Sequence, residues 1–113
     1  MRRVRGDVVL PPDCERVTAG LVLVEVRDVS LQDAPSVVVA ETHMDELPVG
    51  PGTRIPFELS VPDAEPGHTL SIRAHVSIDG EPAISHGDAI STVHLPIPGA
   101  GDVDTVEVPV RVV

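Results

Sequence analysis

Leu70-Ser71-Ile72-Arg73-Ala74-His75-Val76-Ser77-Ile78 alternates apolar and polar side chains without a slip and closes on Asp79-Gly80. A period of two means one face meets a core while the other meets water. Asp-Gly then supplies the residue pair that tight hairpins favour. The same grammar recurs at Arg54-Ile55-Pro56-Phe57-Glu58-Leu59-Ser60-Val61 and at Thr105-Val106-Glu107-Val108-Pro109-Val110-Arg111-Val112.

Working outward, strands are predicted over residues 4–10, 20–29, 36–47, 54–61, 68–78, 90–95 and 103–112, with a short return at 83–85. Pro11-Pro12-Asp13, the segment from Asp28 to Pro35, Pro48-Val49-Gly50-Pro51-Gly52 and Pro96 to Gly101 separate them. Proline removes a ladder donor and fixes φ, so these clusters end strands. Leu21 to Val24 is apolar on both faces, as a central or partly covered strand would be. No stretch shows a helical period, and turn signals fall about every dozen residues, the spacing of sandwiches and barrels. The expectation is an all-β fold: one antiparallel β-sandwich of seven to eight strands spanning residues 1–113, immunoglobulin-like or prealbumin-like. Its core is expected from Val8, Leu10, Val22, Val24, Val26, Val37, Val39, Ile55, Phe57, Leu59, Leu70, Ile72, Ala74, Val76, Ile78, Val93, Val106, Val108 and Val110.

At 113 residues the chain has room for one domain. A chain this size buries roughly 65% of its unfolded surface, enough for an independent core. That core is aliphatic, because Phe57 is the only aromatic residue. Eighteen acidic residues face eight basic ones, all arginine, for a net charge of −10. This balance opposes binding to nucleic acid, which wants basic grooves with stacking aromatics. The lack of aromatic rings likewise opposes a sugar site. Cys14 stands alone, which excludes an internal disulfide scaffold. The basic start Met1-Arg2-Arg3-Val4-Arg5 is followed at once by Gly6-Asp7, and the apolar run Val8 to Leu10 is too short for a signal-peptide core. No segment has the length of a transmembrane span. A complete chain of this kind is expected to be cytoplasmic; one trimmed of a leader is expected in the periplasm or at the envelope.

Gly6-Asp7-Val8-Val9-Leu10-Pro11-Pro12, Leu23-Val24-Glu25-Val26-Arg27-Asp28-Val29-Ser30 and Asp33-Ala34-Pro35 together resemble the YbaY/YscW family. The resemblance continues through Ile55 to Leu59 and Ser71 to Val76 with Asp79-Gly80, covering residues 4 to 95; Asp-Val-Ser followed by Asp-Ala-Pro is its most specific part. The family contains YbaY-type lipoproteins and the lipoprotein chaperones, or pilotins, of type III secretion secretins. Members typically carry a lipobox leader, absent from this sequence, and many have an aromatic where Leu70 stands. The resemblance implies a β-sandwich without an enzyme site and, in the pilotins, capture of a partner's terminal segment.

Each candidate site has a plainer role. Asp28, Ser30 and Asp33 offer oxygens, but a calcium site needs six to eight converging on one point; turn capping explains them better. His43, His68, His75, His86 and His94 lack any paired metal-ligand spacing. His75, beside Arg73 and Ser77 on the polar face, is expected at the solvated surface, and His43-Met44 would matter with His94 only if their strands were neighbours. Ser85-His86-Gly87-Asp88 holds triad residue types, yet four consecutive residues cannot converge as a triad does. Cys14 after a Pro-Pro turn reads as a small packing residue. Glu58, Asp63, Glu65, Asp102 and Asp104 read as a solvated face. No catalytic, cofactor or metal residue is therefore assigned. The leading expectation is a non-catalytic protein-interaction module, binding its partner by strand addition at a sheet edge or on an apolar patch. Pro109 marks the last strand as an edge, with the first or third strand as the receptive one. The alternative is a metal- or small-ligand-binding sandwich. Edges without lysine leave homo-oligomerisation open.

Overall fold

The computed structural model describes residues 1–30 and 36–113. Nine strands run in chain order: β1 Arg2–Val9, β2 Val17–Asp28, β3 Val37–Val49, β4 Arg54–Val61, β5 Leu70–Ser77, β6 Ala89–Ile90, β7 Pro96–Ile97, β8 Val103–Pro109 and β9 Arg111–Val112. They form a three-stranded sheet, β4-β1-β8, and a six-stranded sheet, β3-β2-β5-β6-β9, with β7 also on β5. The sandwich is all-β, as the alternating segments require. It is antiparallel except where β1 and β8 run parallel.

The inner faces follow from the period of two. Ile55, Phe57, Leu59 and Val61 of β4 are buried while Arg54, Pro56, Glu58 and Ser60 are exposed. Across from them on the other sheet lie Val22, Val24 and Val26 of β2 and Ile72, Ala74 and Val76 of β5, all buried. A fully buried side chain of this kind contributes about 1.5–3 kcal/mol. Gly6 is required by close approach, because a Cβ there would sit 1.8 Å from the Val106 carbonyl oxygen. The β1–β8 register shifts between Val4 and Gly6, and Gly6 stands opposite Phe57 on β4. Gly20 is likewise forced, since its Cβ would lie 2.7 Å from Gly80, the left-handed residue of the β5 turn.

Three expected core residues lie at the surface, and two more pack only against the core's margin. Val37 and Val93 are exposed, Ile78 is at the surface, and Val39 and Val106 are only half-buried. Val37 and Val39 belong to β3, which pairs only with β2 and so forms an outer edge where less of each side chain is covered. Val93 follows from a broken strand. The expected strand over 90–95 is instead β6 and β7 with an outward excursion between them, and residues 83–85 form no strand. Ser91 causes the break: its Oγ accepts the Ala74 N–H at 2.7 Å, taking the place of a ladder carbonyl, while its own N–H donates to the Ala74 carbonyl. The chain rejoins β5 where the Leu95 carbonyl accepts the Ile72 N–H. Arg2, by contrast, points inward at one end of β1 and is nearly sealed; one nitrogen donates to the Gly101 carbonyl, and Asp63 lies 3.8 Å away.

β1 is the middle strand of its sheet, so it offers no free edge, contrary to one expectation. β3 and β8 are edges. Pro109 indeed ends an edge strand, and after Val110 the chain passes to the other sheet as β9, pairing with β6.

Candidate functional site: a groove on the outer face of the six-stranded sheet

A groove of about 620 Å³ crosses the outer face of the larger sheet. Its floor is made by the outward residues of adjacent strands, in register: Leu23 opposite His75, Glu25 opposite Arg73, and Arg27 opposite Ser71. The segment from Asp79 to Asp88 contributes Pro82 and Ile84 to its lining. The Ser91 excursion contributes Val93 and His94. Ile84 is 57% exposed and Val93 65% exposed, large apolar side chains left open by the described residues. The groove therefore joins an apolar half (Leu23, Ile84, Ile90, Val93) to a charged half.

The charged half is self-balanced. Arg27 donates to Glu25 at 3.1 Å and to the Ser36 hydroxyl at 3.0 Å, and Arg73 lies 3.9 Å from the same carboxylate. Two of the eight arginines thus gather beside Glu25 and Glu41 on an otherwise acidic molecule. Neutralised charges at a groove floor cost less to desolvate when a partner arrives.

His75 differs from its expected place at the solvated surface: it is buried, its Nε2 2.8 Å from Asp88 Oδ2. Asp88 is only 1% exposed. Its carboxylate also accepts the Ile78 N–H at 3.0 Å and the Ser85 N–H at 2.9 Å. Burial pushes the Asp88 carboxyl up, but hydrogen bonds from His75, Ile78 and Ser85 outweigh it and hold the group below its ordinary value. Asp79 repeats the device at the start of the arm, accepting the Glu81 N–H and the Ser77 and Ser85 hydroxyls, which hold its carboxyl low. Two aspartates thus wire the arm to β5. The sequence reading missed this because His75 and Asp88 meet only through tertiary folding. The sole local signal was a lone acid between Gly87 and the apolar Ala89-Ile90.

The remaining candidates do not converge. His43 on β3 and His94 beyond β5 are separated by β2 and β5. Asp28 Oδ1 caps the Ser30 N–H and its Oδ2 lies 2.5 Å from His68 Nδ1; these bonds lower Asp28 to about 2 and raise His68. Asp33 lies outside the described residues, as does the Asp-Ala-Pro part of the family motif. Among the described residues no three metal-ligating side chains gather. The Asp88–His75 pair has no serine or cysteine hydrogen-bonded to the imidazole among them either. His86 is exposed, and Cys14 is buried beside a second, apolar hollow of about 480 Å³, burial pushing its thiol up. Glu58, Asp63, Glu65, Asp102 and Asp104 are exposed, several pairing with Arg2, Arg3 and Arg5.

The chain is thus an all-β sandwich with a groove, part apolar and part charge-balanced, on the outer face of its larger sheet. The family model for type III secretion system lipoprotein chaperones (YscW) matches residues 1–97, and the chain belongs to that family. Among solved structures, the fold is similar to an alternative pilotin from the type II secretion system of Vibrio cholerae. That likeness has a TM-score of 0.76 at 22% identity and covers 99% of this chain and 96% of that one. No curated protein sequence matches the chain.

Proposed function

We propose that the chain is a non-catalytic chaperone that captures a segment of a secretin-type partner, with the outer-face groove as its capture site. The observation that carries this reading is that exposed Ile84 and Val93 both line the groove, together with Leu23 and Ile90. Large apolar side chains held out to water by hydrogen-bonded loops mark interaction sites. A segment presenting apolar side chains to Leu23 and Ile90 would cover them. Family membership supplies the kind of partner and supports an envelope location in place of the cytoplasmic expectation. No helix among the described residues is long and apolar enough to cross a membrane. Strand addition at β3 is a weaker reading, because that edge gathers Glu41, Asp45 and Glu46. The metal-binding alternative has no ligand cluster among the described residues to support it.

The test is co-purification with the C-terminal segment of a secretin from the same organism. Capture that is lost in an Ile84→Asp, Val93→Asp double variant of unchanged circular dichroism supports the proposal. Capture that survives this change overturns the groove as the site.

A further inference from the structure

We propose that Asp88 is a positioning residue that fixes the tautomer of His75, making its Nδ1 a hydrogen-bond acceptor in the groove floor that reads an N–H or O–H group on the bound segment. This rests on the groove being the capture site, and it specifies what the captured segment must offer beyond apolar surface.

The argument begins with the carboxylate. An ionised carboxylate accepts hydrogen bonds and cannot donate them. Asp88 already takes the Ile78 and Ser85 N–H groups, so its third contact, His75 Nε2 at 2.8 Å, carries the proton on the imidazole side. A neutral imidazole has one N–H and one bare nitrogen. With Nε2 protonated, Nδ1 is the bare one. Nδ1 has no hydrogen-bond partner among the described residues, and it is not among the sealed, unsatisfied atoms. His75 lines the groove floor between Leu23 on β2 and Ile90 on β6, its register neighbours. The lone pair thus sits between Leu23 and Ile90, in a groove that Ile84 and Val93 also line.

Placement there has a consequence for selectivity. A buried acceptor left without a donor when the groove is covered costs free energy, whereas a matched donor recovers it. An apolar segment without a donor at this point is therefore disfavoured, and one carrying a hydroxyl or a free backbone N–H is selected. The two aspartates contribute by rigidity: because Asp79 and Asp88 tie the arm to β5, the imidazole cannot turn away without breaking a buried hydrogen bond.

The experiment uses the whole chain and two small probes. Nitrogen-15 imidazole spectra recorded well above the ordinary histidine titration range give the tautomer directly. The expected result is a His75 proton on Nε2; a proton on Nδ1 overturns the proposal. N-acetyl-leucinamide and its fully N-methylated analogue are then titrated in turn. The donor probe should shift His75 and Ile90 signals and bind roughly tenfold tighter than the methylated one. His75→Lys keeps a donor toward Asp88 and has no acceptor, so it should retain the fold and abolish that preference; His75→Ala should lose both the preference and the protection of the Ser85 amide against exchange. Equal binding of the two probes, no binding of either, or a preference that persists in His75→Lys overturns the assignment. A secretin segment that maps elsewhere would overturn the capture reading while leaving these spectra to be judged on their own.

Discussion

β4 and β5 read alike in sequence and differ in the folded chain. β4 alternates strictly, and its burial alternates with it: Ile55, Phe57, Leu59 and Val61 inside, Glu58 and Ser60 in water. β5 alternates just as cleanly, yet only Arg73 is exposed; Ser71, His75 and Ser77 are buried along with their apolar neighbours. The cause is position. β4 is an edge strand whose outer face meets solvent, whereas β5 is central and carries two loops across its outer face. Polar residues on a covered face must find partners, and these do: Ser77 with Asp79 and the Glu81 carbonyl, His75 with Asp88, Ser71 with the Leu95 carbonyl. Where a strand's polar face is buried and satisfied, a loop has been recruited to build something on it.

Substitutions sharpen the contrast, beginning with the largest effect. Phe57→Ala on β4 should cost about 3–5 kcal/mol in denaturant unfolding, through lost transfer energy and the cavity left behind. Asp88→Ala should cost about 3 kcal/mol, since it strands His75 and the Ile78 and Ser85 N–H groups in a buried place. Its outward counterpart on β4, Glu58→Ala, should stay within about 0.5 kcal/mol. An equal cost for the two acids would break the comparison.

A pH series separates the buried pair from the partly exposed one. His68 is raised by its hydrogen bond to Asp28, so its contribution is complete below the ordinary histidine value and is lost as pH rises through the folded value. Asp28 and Asp88 are lowered, so their contributions are present above the ordinary carboxylate value and fall away only in acid. Urea midpoints should therefore decline on the alkaline side of the imidazole titration, and His68→Asn should flatten that decline. At the smallest end, Ile84→Asp and Val93→Asp should leave the midpoint within about 0.5 kcal/mol, as surface changes do.

The same contrast explains what could be read from the chain. β4 was legible to the residue because its alternation, its Pro-Gly start and its Pro62 stop all agree and nothing tertiary intervenes. The valine ladder of β2 was legible for the same reason. Val93 and the break at Ser91 were not, because a serine hydroxyl replacing a ladder carbonyl leaves no trace in an apolar-polar pattern. Nor was His75: its partner lies thirteen residues on, across a loop, and only the fold brings the two within 2.8 Å. The groove was visible only as a surplus, a strand apolar on both faces at Leu21 to Val24, whose outward Leu23 now forms its floor.

Shift mapping of the nitrogen-15-labelled chain against a secretin C-terminal segment bears most directly on the capture surface. The predicted pattern is a contiguous set of changes at Leu23, Ile84, Ile90 and Val93, with β4 silent. Changes confined to the β3 edge or to the hollow around Cys14, or no changes at all, would contradict it.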